Sequence, residues 1–339
     1  MNNNNYARQT EIDVTINGTN VTSDINSHLL SLTYTDTEDE NDDLRIELDD
    51  REGTWLEWLR GAKGSTISAS IIQRGDGDKA LDCGVFEIDS VGHSGPPSKM
   101  SIRATSLPYS STVRNTTTTK EWENIGLSAI ASEIAENHGM ECMFLSSFSP
   151  TYTRRSQMQV SDVVFLEKLC RDAGISLKVT DNTIVLFDEH EYEQRASISM
   201  IVRGSSDVLS WNFNTSMNET KYSACQVSYT DPNNGETVEY TFTPPGANPS
   251  DPVLEINEKV ETREEAHQKA KKRLREKNKN EYQASFTLVG DVKYVAGATV
   301  DIAGWGFYNG KYIIEKAVHS VGASGFTTQI QLHRVLEGY

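Results

Sequence analysis

The chain has 339 residues, enough for two or three domains with cores of their own. Its 32 Lys and Arg face 49 Asp and Glu, a formal net charge of −17, and so acidic a surface argues against stable nucleic-acid binding, which needs clustered cations. No apolar run nears the roughly 20 residues of a membrane-crossing helix, and the Asn-rich start from Met1 to Asn5 lacks a signal peptide's apolar core, so a soluble protein made in the cytoplasm is expected.

Residues up to about Thr112 read as β-rich. Ile12, Val14 and Ile16 alternate, Asn17-Gly18 supplies a turn, and Leu44, Ile46 and Leu48 then Ile67, Ala69 and Ile71 alternate again. The acidic stretch from Asp36 to Asp50 lacks the spacing of a calcium-binding EF-hand and reads as a solvated loop. Ser110 to Lys120, rich in Ser and Thr, reads as a linker. A helix is predicted from about Trp122 to Asn137, with Trp122, Ile125, Ala129, Ile130 and Ile134 on one side. A second begins after Ser161, buries Val164, Phe165, Leu166, Leu169 and Ala173, and stops at Gly174. Leu177 to Phe187 reads as a hairpin turning at Asp181-Asn182.

Strand-like alternation returns from Asp207 to Tyr229, and Asp231 to Asp251 reads as loop. Thr262 and Glu265 have capping-box spacing at the start of a third helix, whose Ala266, Ala270 and Leu274 form a narrow stripe suited to close packing on a sheet. Strands resume at Ser285 and run to the end. The predicted division is a first barrel over 1–115, an α/β insert over 116–200, the start of a second barrel over 201–230, an inserted loop and helix over 231–281, and the rest of that barrel over 282–339.

Two stretches far apart share one pattern. Gly64, Thr66, Ile67, Gly84, Phe86, Ile88 and His93-Ser94 match Gly297, Thr299, Val300, Gly310, Tyr312, Ile314 and His319-Ser320. Gly84 to Ser94 overlays Gly310 to Ser320 without a gap, so a duplicated β-unit is expected, with Phe86 and Tyr312 equivalent.

No catalytic, cofactor-binding or metal-binding residues emerge. His190 in Asp188-Glu189-His190-Glu191 has no second histidine four residues on, as a zincin helix needs, and reads as a charged loop. Cys83, Cys142, Cys170 and Cys225 lack metal spacing and read as buried free thiols. Glu121 and Glu123 have the residue types of an acid–base pair in a wall hydrolase, but acids flanking a helix start commonly serve its dipole. Lys269, Lys271, Lys272, Arg273, Arg275, Lys277 and Lys279 surround the third helix rather than forming one stripe, without the interleaved aromatics of a nucleic-acid platform.

Three motifs in order carry a family resemblance. Gln157 to Gly174 reads Q-x-x-x-S-D-x-x-F-L-x-x-L-x-x-x-x-G. Glu265 to Asn278 follows E-A-x-x-x-A-x-x-x-L-x-x-x-N, and Gly304 to His319 reads G-W-G-x-x-x-G-x-Y-x-I-x-x-x-x-H. Together they resemble the phage late control gene D family of contractile-tail baseplate hubs, related to the amino-terminal module of type VI secretion spike proteins. That resemblance implies an α+β, β-rich fold with two similar tube-forming barrels and small α/β inserts, and no enzymatic activity or cofactor. It also implies a homotrimer forming a pseudo-sixfold ring, with a trimeric spike, the tail tube, the tape measure protein and surrounding baseplate proteins as partners. The chain would be made in a bacterial cytoplasm and built into a virion or a phage-tail-like particle. As the sequence runs to Tyr339 without a needle or lysozyme-like segment, the spike and any wall-degrading activity are expected on other polypeptides. A hub-associated peptidoglycan hydrolase and a wall-binding module around Gln157 to Phe187 are the competing readings. Part of the acidic excess, from Asp36 to Asp50 or from other strand carboxylates, is expected to line the ring's channel and repel phosphate.

Overall fold

A computed structural model describes residues 9–38, 41–75, 78–106, 112–179, 182–217, 220–230, 235–260 and 262–339. The first barrel comprises β1 (Gln9–Ile16), β2 (Thr19–Asn20), α1 (Thr22–His28), β3 (Leu29–Thr37), β4 (Asp43–Asp49), α2 (Thr54–Trp58), β5 (Thr66–Arg74), β6 (Lys79–Ser94) and β7 (Lys99–Thr105). Its strands neighbour in the order β3-β4-β7-β6-β5-β1-β2, all antiparallel. Period-two alternation decides the buried face: Ile12, Val14 and Ile16, Leu44, Ile46 and Leu48, and Ile67, Ala69 and Ile71 share one core.

The acidic stretch is not a solvated loop. β3 ends and β4 begins within it, and Asp36, Asp42 and Asp50 are only 6%, 5% and 2% exposed, so these three face no water-filled channel. Asp50 accepts the N–H groups of Trp55 at 2.8 Å and Leu56 at 3.2 Å at the start of α2. Donors compensate these carboxylates, and composition cannot reveal donors. Asp39 and Glu40 lie outside the described residues.

The insert follows: α3 (Thr112–Asn115), β8 (Thr117–Gly126), α4 (Leu127–Asn137), β9 (Glu141–Leu145), β10 (Thr151–Ser161), α5 (Asp162–Ala173), β11 (Ser176–Val179), β12 (Thr183–Phe187) and α6 (Glu189–Glu193). Trp122 and Ile125, expected on a helix, stand on β8, which pairs with β10 from Thr117↔Ser161 to Gly126↔Thr151. The helix therefore starts only at Leu127. Thr117 to Lys120, expected as linker, belong to the same strand, while Ser110 and Ser111 lie outside the described residues. α5 forms as read and ends at Gly174, whose left-handed φ of +64° closes its last turn. Phe165, Leu166 and Leu169 are buried with Ile130 and Ile134 of α4, whereas Val164 points outward, 48% exposed. β11 and β12 form the expected antiparallel pair, and β9 joins β12 in parallel; Asp181 of the proposed turn is outside the described residues.

β13 (Ser199–Val202) and β14 (Val208–Thr215) open the second barrel. The chain then leaves it. β15 (Ala224–Thr230), β16 (Thr237–Phe242) and β17 (Val253–Ile256) form a separate sheet under α7 (Arg263–Asn278). Ala224 to Thr230 was expected in the second barrel and Thr237 to Phe242 in a loop; neither holds. Ala266, Ala270 and Leu274 of α7 are wholly buried against this sheet together with Cys225, Val227 and Tyr339. Thr262 caps the helix, its Oγ1 accepting from Glu265 N at 3.1 Å. β18 (Tyr282–Val289), β19 (Thr299–Ala303), β20 (Gly310–Gly322) and β21 (Gly325–Arg334) complete the second barrel in the order β14-β18-β21-β20-β19-β13.

The duplication extends to the register. Ile67↔Phe86 and Ala69↔Gly84 on β5 and β6 correspond to Val300↔Tyr312 and Ile302↔Gly310 on β19 and β20. Leu44↔Ala104 and Ile46↔Ile102 correspond to Ala284↔Leu332 and Phe286↔Ile330. Both units carry a bulge at the same two places: after Ile88 and after Ile314, and between Leu29 and Ser31 and between Val208 and Ser210. Bulges are specific local features, so sharing two of them marks one repeated unit. The flanking strand differs: β1 pairs antiparallel with β5, whereas β13 pairs parallel with β19.

Candidate functional site, the seam between the barrels

β20 is long enough to serve two sheets. Its first half pairs with β19, and its second half, from Lys316 to Gly322, pairs with β3 of the first barrel through seven residues, Lys316↔Thr37 to Gly322↔Ser31. The two barrels thus form one continuous 13-stranded sheet. Val321 and Phe326 of the second unit pack on the core of the first, Val321 opposite Leu32 in the ladder and Phe326 against the His319 ring. The approach is close: a Cβ on Gly322 would lie 2.8 Å from the Leu30 carbonyl oxygen, and one on Gly290 would run into the Phe326 ring.

His319 sits in the middle of this seam, wholly buried and stacked on Tyr34 at 6.1 Å with 17° between the rings. Its Nε2–H donates to the Tyr294 carbonyl at 2.8 Å, and Thr328 Oγ1 lies 3.3 Å from Nδ1. Burial lowers its pKa below the ordinary imidazole value, which keeps the ring neutral. His93, its repeat counterpart, is exposed and contacts Ser98 Oγ at 2.7 Å.

Two ion clusters fasten the other modules to this seam. Lys178 of β11 reaches Asp36 at 2.7 Å and Asp42 at 3.0 Å, and Asp36 also accepts from Ala296 N of the second barrel at 2.8 Å. One carboxylate therefore touches the insert and both barrels. Burial pushes the Asp42 carboxyl up to about 6, although the Lys178 ammonium pulls the other way. Burial likewise raises the Cys83 thiol nearby.

The second cluster lies beneath α6. Arg275 of α7 bonds Glu189 at 2.6 Å and Glu193 at 2.8 Å, and Lys279 bonds Glu189 at 3.1 Å. His333 of β21, wholly buried, reaches Glu315 of β20 at 2.7 Å and Glu193 at 3.4 Å. Burial alone would lower the His333 pKa, but its bonds to Glu193 and Glu315 outweigh that and hold it near 9. Three carboxylates face three cations here, so charges that would be costly singly are mutually compensated. Asp188 to Glu191, expected as a charged loop, is thus the cap and first turn of a helix whose Glu189 and Glu193 are buried. Lys269 pairs with Glu258 at 2.7 Å, and Lys272 pairs with Asp188. Much of the basic helix is neutralised within the chain.

The Gln157–Asp162 motif is an internal brace. Gln157 Nε2 donates to Asp162 Oδ1 at 2.6 Å, His138 Nε2–H to Asp162 Oδ2 at 2.7 Å, and Thr112 Oγ1 lies 2.6 Å from His138 Nδ1. Glu121 and Glu123 do not flank a helix start; both lie on β8, where Glu121 pairs with Arg154. Among the described residues no group of three or more His, Cys, Asp and Glu side chains has the geometry of a metal site. Cys83, Cys142, Cys170 and Cys225 are free thiols, and all but the half-buried Cys142 are buried. No helix among the described residues is long and apolar enough to cross a membrane.

The fold as a whole is shared with tail proteins of solved structure. The tail protein of prophage MuSo2 from Shewanella oneidensis superposes with a TM-score of 0.70 at 15% identity, over 96% of this chain and 98% of that one. An E. coli protein described as a type VI secretion component, with structural similarity to the T4 tail proteins gp27 and gp5, superposes at 0.59 and 10% identity, over 99% and 77%. The sequence model of the phage tail baseplate hub, GPD, matches residues 48–325, and the chain belongs to that family. The probable baseplate hub protein of Escherichia phage 186 is 31% identical over 168 residues, 49% of this chain. That match spans only 42% of the phage protein's own length.

Proposed function

We propose that three copies of this chain close a ring of six barrels in a contractile-tail baseplate, or in that of a phage-tail-like particle. Its pseudo-sixfold face would meet the tail tube and tape measure protein, and its true threefold would meet a trimeric spike. The observation that supports this is the shared register and shared bulges of the two barrels, which let one chain present two near-equivalent segments of a ring. The small sheet, α7 and the insert break that equivalence and leave only threefold repetition. In this reading residues 1–115 and the strands near 201–215 and 282–339 form the ring, and 116–200 and the small sheet with α7 over 224–281 are inserts facing other baseplate proteins. The hub is structural, without enzymatic activity, made in the host cytoplasm before incorporation.

Copy number decides it. A reconstruction of the assembled particle is expected to show three hub chains in contact with both tube and spike. Six chains per ring would overturn the reading.

A further inference from the structure

The seam inside the chain has a counterpart that no described strand covers. In the first repeat, β3 is covered by β20, and Leu32 and Tyr34 are 0% and 5% exposed. In the second repeat the equivalent strand is β14, where Trp211 takes the place of Leu32 and Phe213 that of Tyr34: Trp211↔Phe286 and Phe213↔Ala284 correspond to Leu32↔Ile46 and Tyr34↔Leu44. Among the described residues β14 pairs only with β18 and ends the sheet. Trp211 is 46% exposed and Phe213 half-buried, although the rings of both contact Trp305 of the second barrel's core, at 5.8 and 5.7 Å. The strand that covers this edge in the first repeat is β20, and its counterpart is β6. Beyond Glu87, where its pairing with β5 stops, β6 continues through Ser90–Ser94 with β7 on one side and, among the described residues, no strand on the other.

Resting on the ring proposed above, we infer that Ser90–Ser94 of one copy pairs antiparallel with β14 of the next, repeating the β20–β3 seam between chains. Transferring the seam register turns Ala317↔Asp36, Val318↔Thr35, His319↔Tyr34 and Ser320↔Thr33 into Val91↔Thr215, Gly92↔Asn214, His93↔Phe213 and Ser94↔Asn212. His93 would then stack on Phe213 as His319 stacks on Tyr34. Each chain offers one such edge and one such strand, so the contact is head-to-tail and repeats around a ring. An unpaired edge carrying half-exposed aromatics is a template for strand addition, and the chain itself supplies the occupant's chemistry.

The test is a Ser94→Cys/Asn212→Cys chain, oxidised within the assembled particle and run on a denaturing gel without reductant. Both positions are exposed, and opposed residues of an antiparallel pair lie within disulfide reach. Covalent dimers and trimers, ending at three, are expected, with monomer only from either single substitution. Mixing the two single variants is expected to give dimers and nothing larger. A trimeric hub in the particle without cross-linking, or cross-linking only for Ser94→Cys with the offset Ser210→Cys, would overturn this pairing and leave the ring standing. Ladders running beyond three would support the pairing and overturn the threefold ring. A hub that is monomeric in the particle would overturn both.

Discussion

His333 shows what a single buried side chain contributes here. Its folded pKa near 9 lies above the ordinary 6.5, so folding favours the imidazolium, clamped between Glu193 and Glu315. A raised value means that its stabilisation is complete below about pH 6.5 and is lost as pH rises through about 9. Replacing it breaks a compensated buried cluster, at a cost of about 3 kcal/mol. His333→Gln is therefore expected to lower the urea midpoint clearly at pH 6 and much less at pH 9.5, with a flatter pH dependence than the natural chain. A deficit of the same size at both pH values would show that the imidazole is uncharged in the fold.

Among the elements, the seam strand β20 carries the sharpest expectation. Gly322→Ala sets a Cβ against the Leu30 carbonyl, and overpacking of this kind costs about 1–3 kcal/mol. Hydrogen exchange should quicken along β3 at residues 31–37 while β18 stays protected. Unchanged exchange on β3 would mean the seam absorbs the methyl. This seam was half legible: the Gly84–Ser94 match revealed the repeat and α7 announced its own cap and stripe, but nothing local says that β20 leaves β19 for β3. Trp122 and Ile125 mark the other limit, since residues three apart suit a helix face and the β8–β10 ladder decided otherwise. The buried acids were illegible for a related reason. Asp36 finds its lysine 142 residues away, a partner that no window along the chain contains.

For the whole molecule, the expected division is between a ring and its attachments. Leu169 is 2% exposed in the insert's core, and an aspartate there would bury a charge without a partner. Leu169→Asp is expected to abolish co-purification of surrounding baseplate proteins while the spike is retained. The Lys178 link to Asp36 and Asp42 makes this a demanding test, because the insert touches the barrel wall. Equal loss of spike and baseplate proteins would mean that the insert holds the ring together.

The intramolecular seam also has a consequence for how such a ring comes together. Six separate barrels would need five encounters, each surrendering translational and rotational freedom worth about 4–15 kcal/mol, whereas three fused pairs need two. In a fused pair the partner edge is always at hand, at an effective concentration set by the connecting chain rather than by expression level. Half the joints of the ring would then form during folding, before any second copy is met. Dilution would act only on the other half.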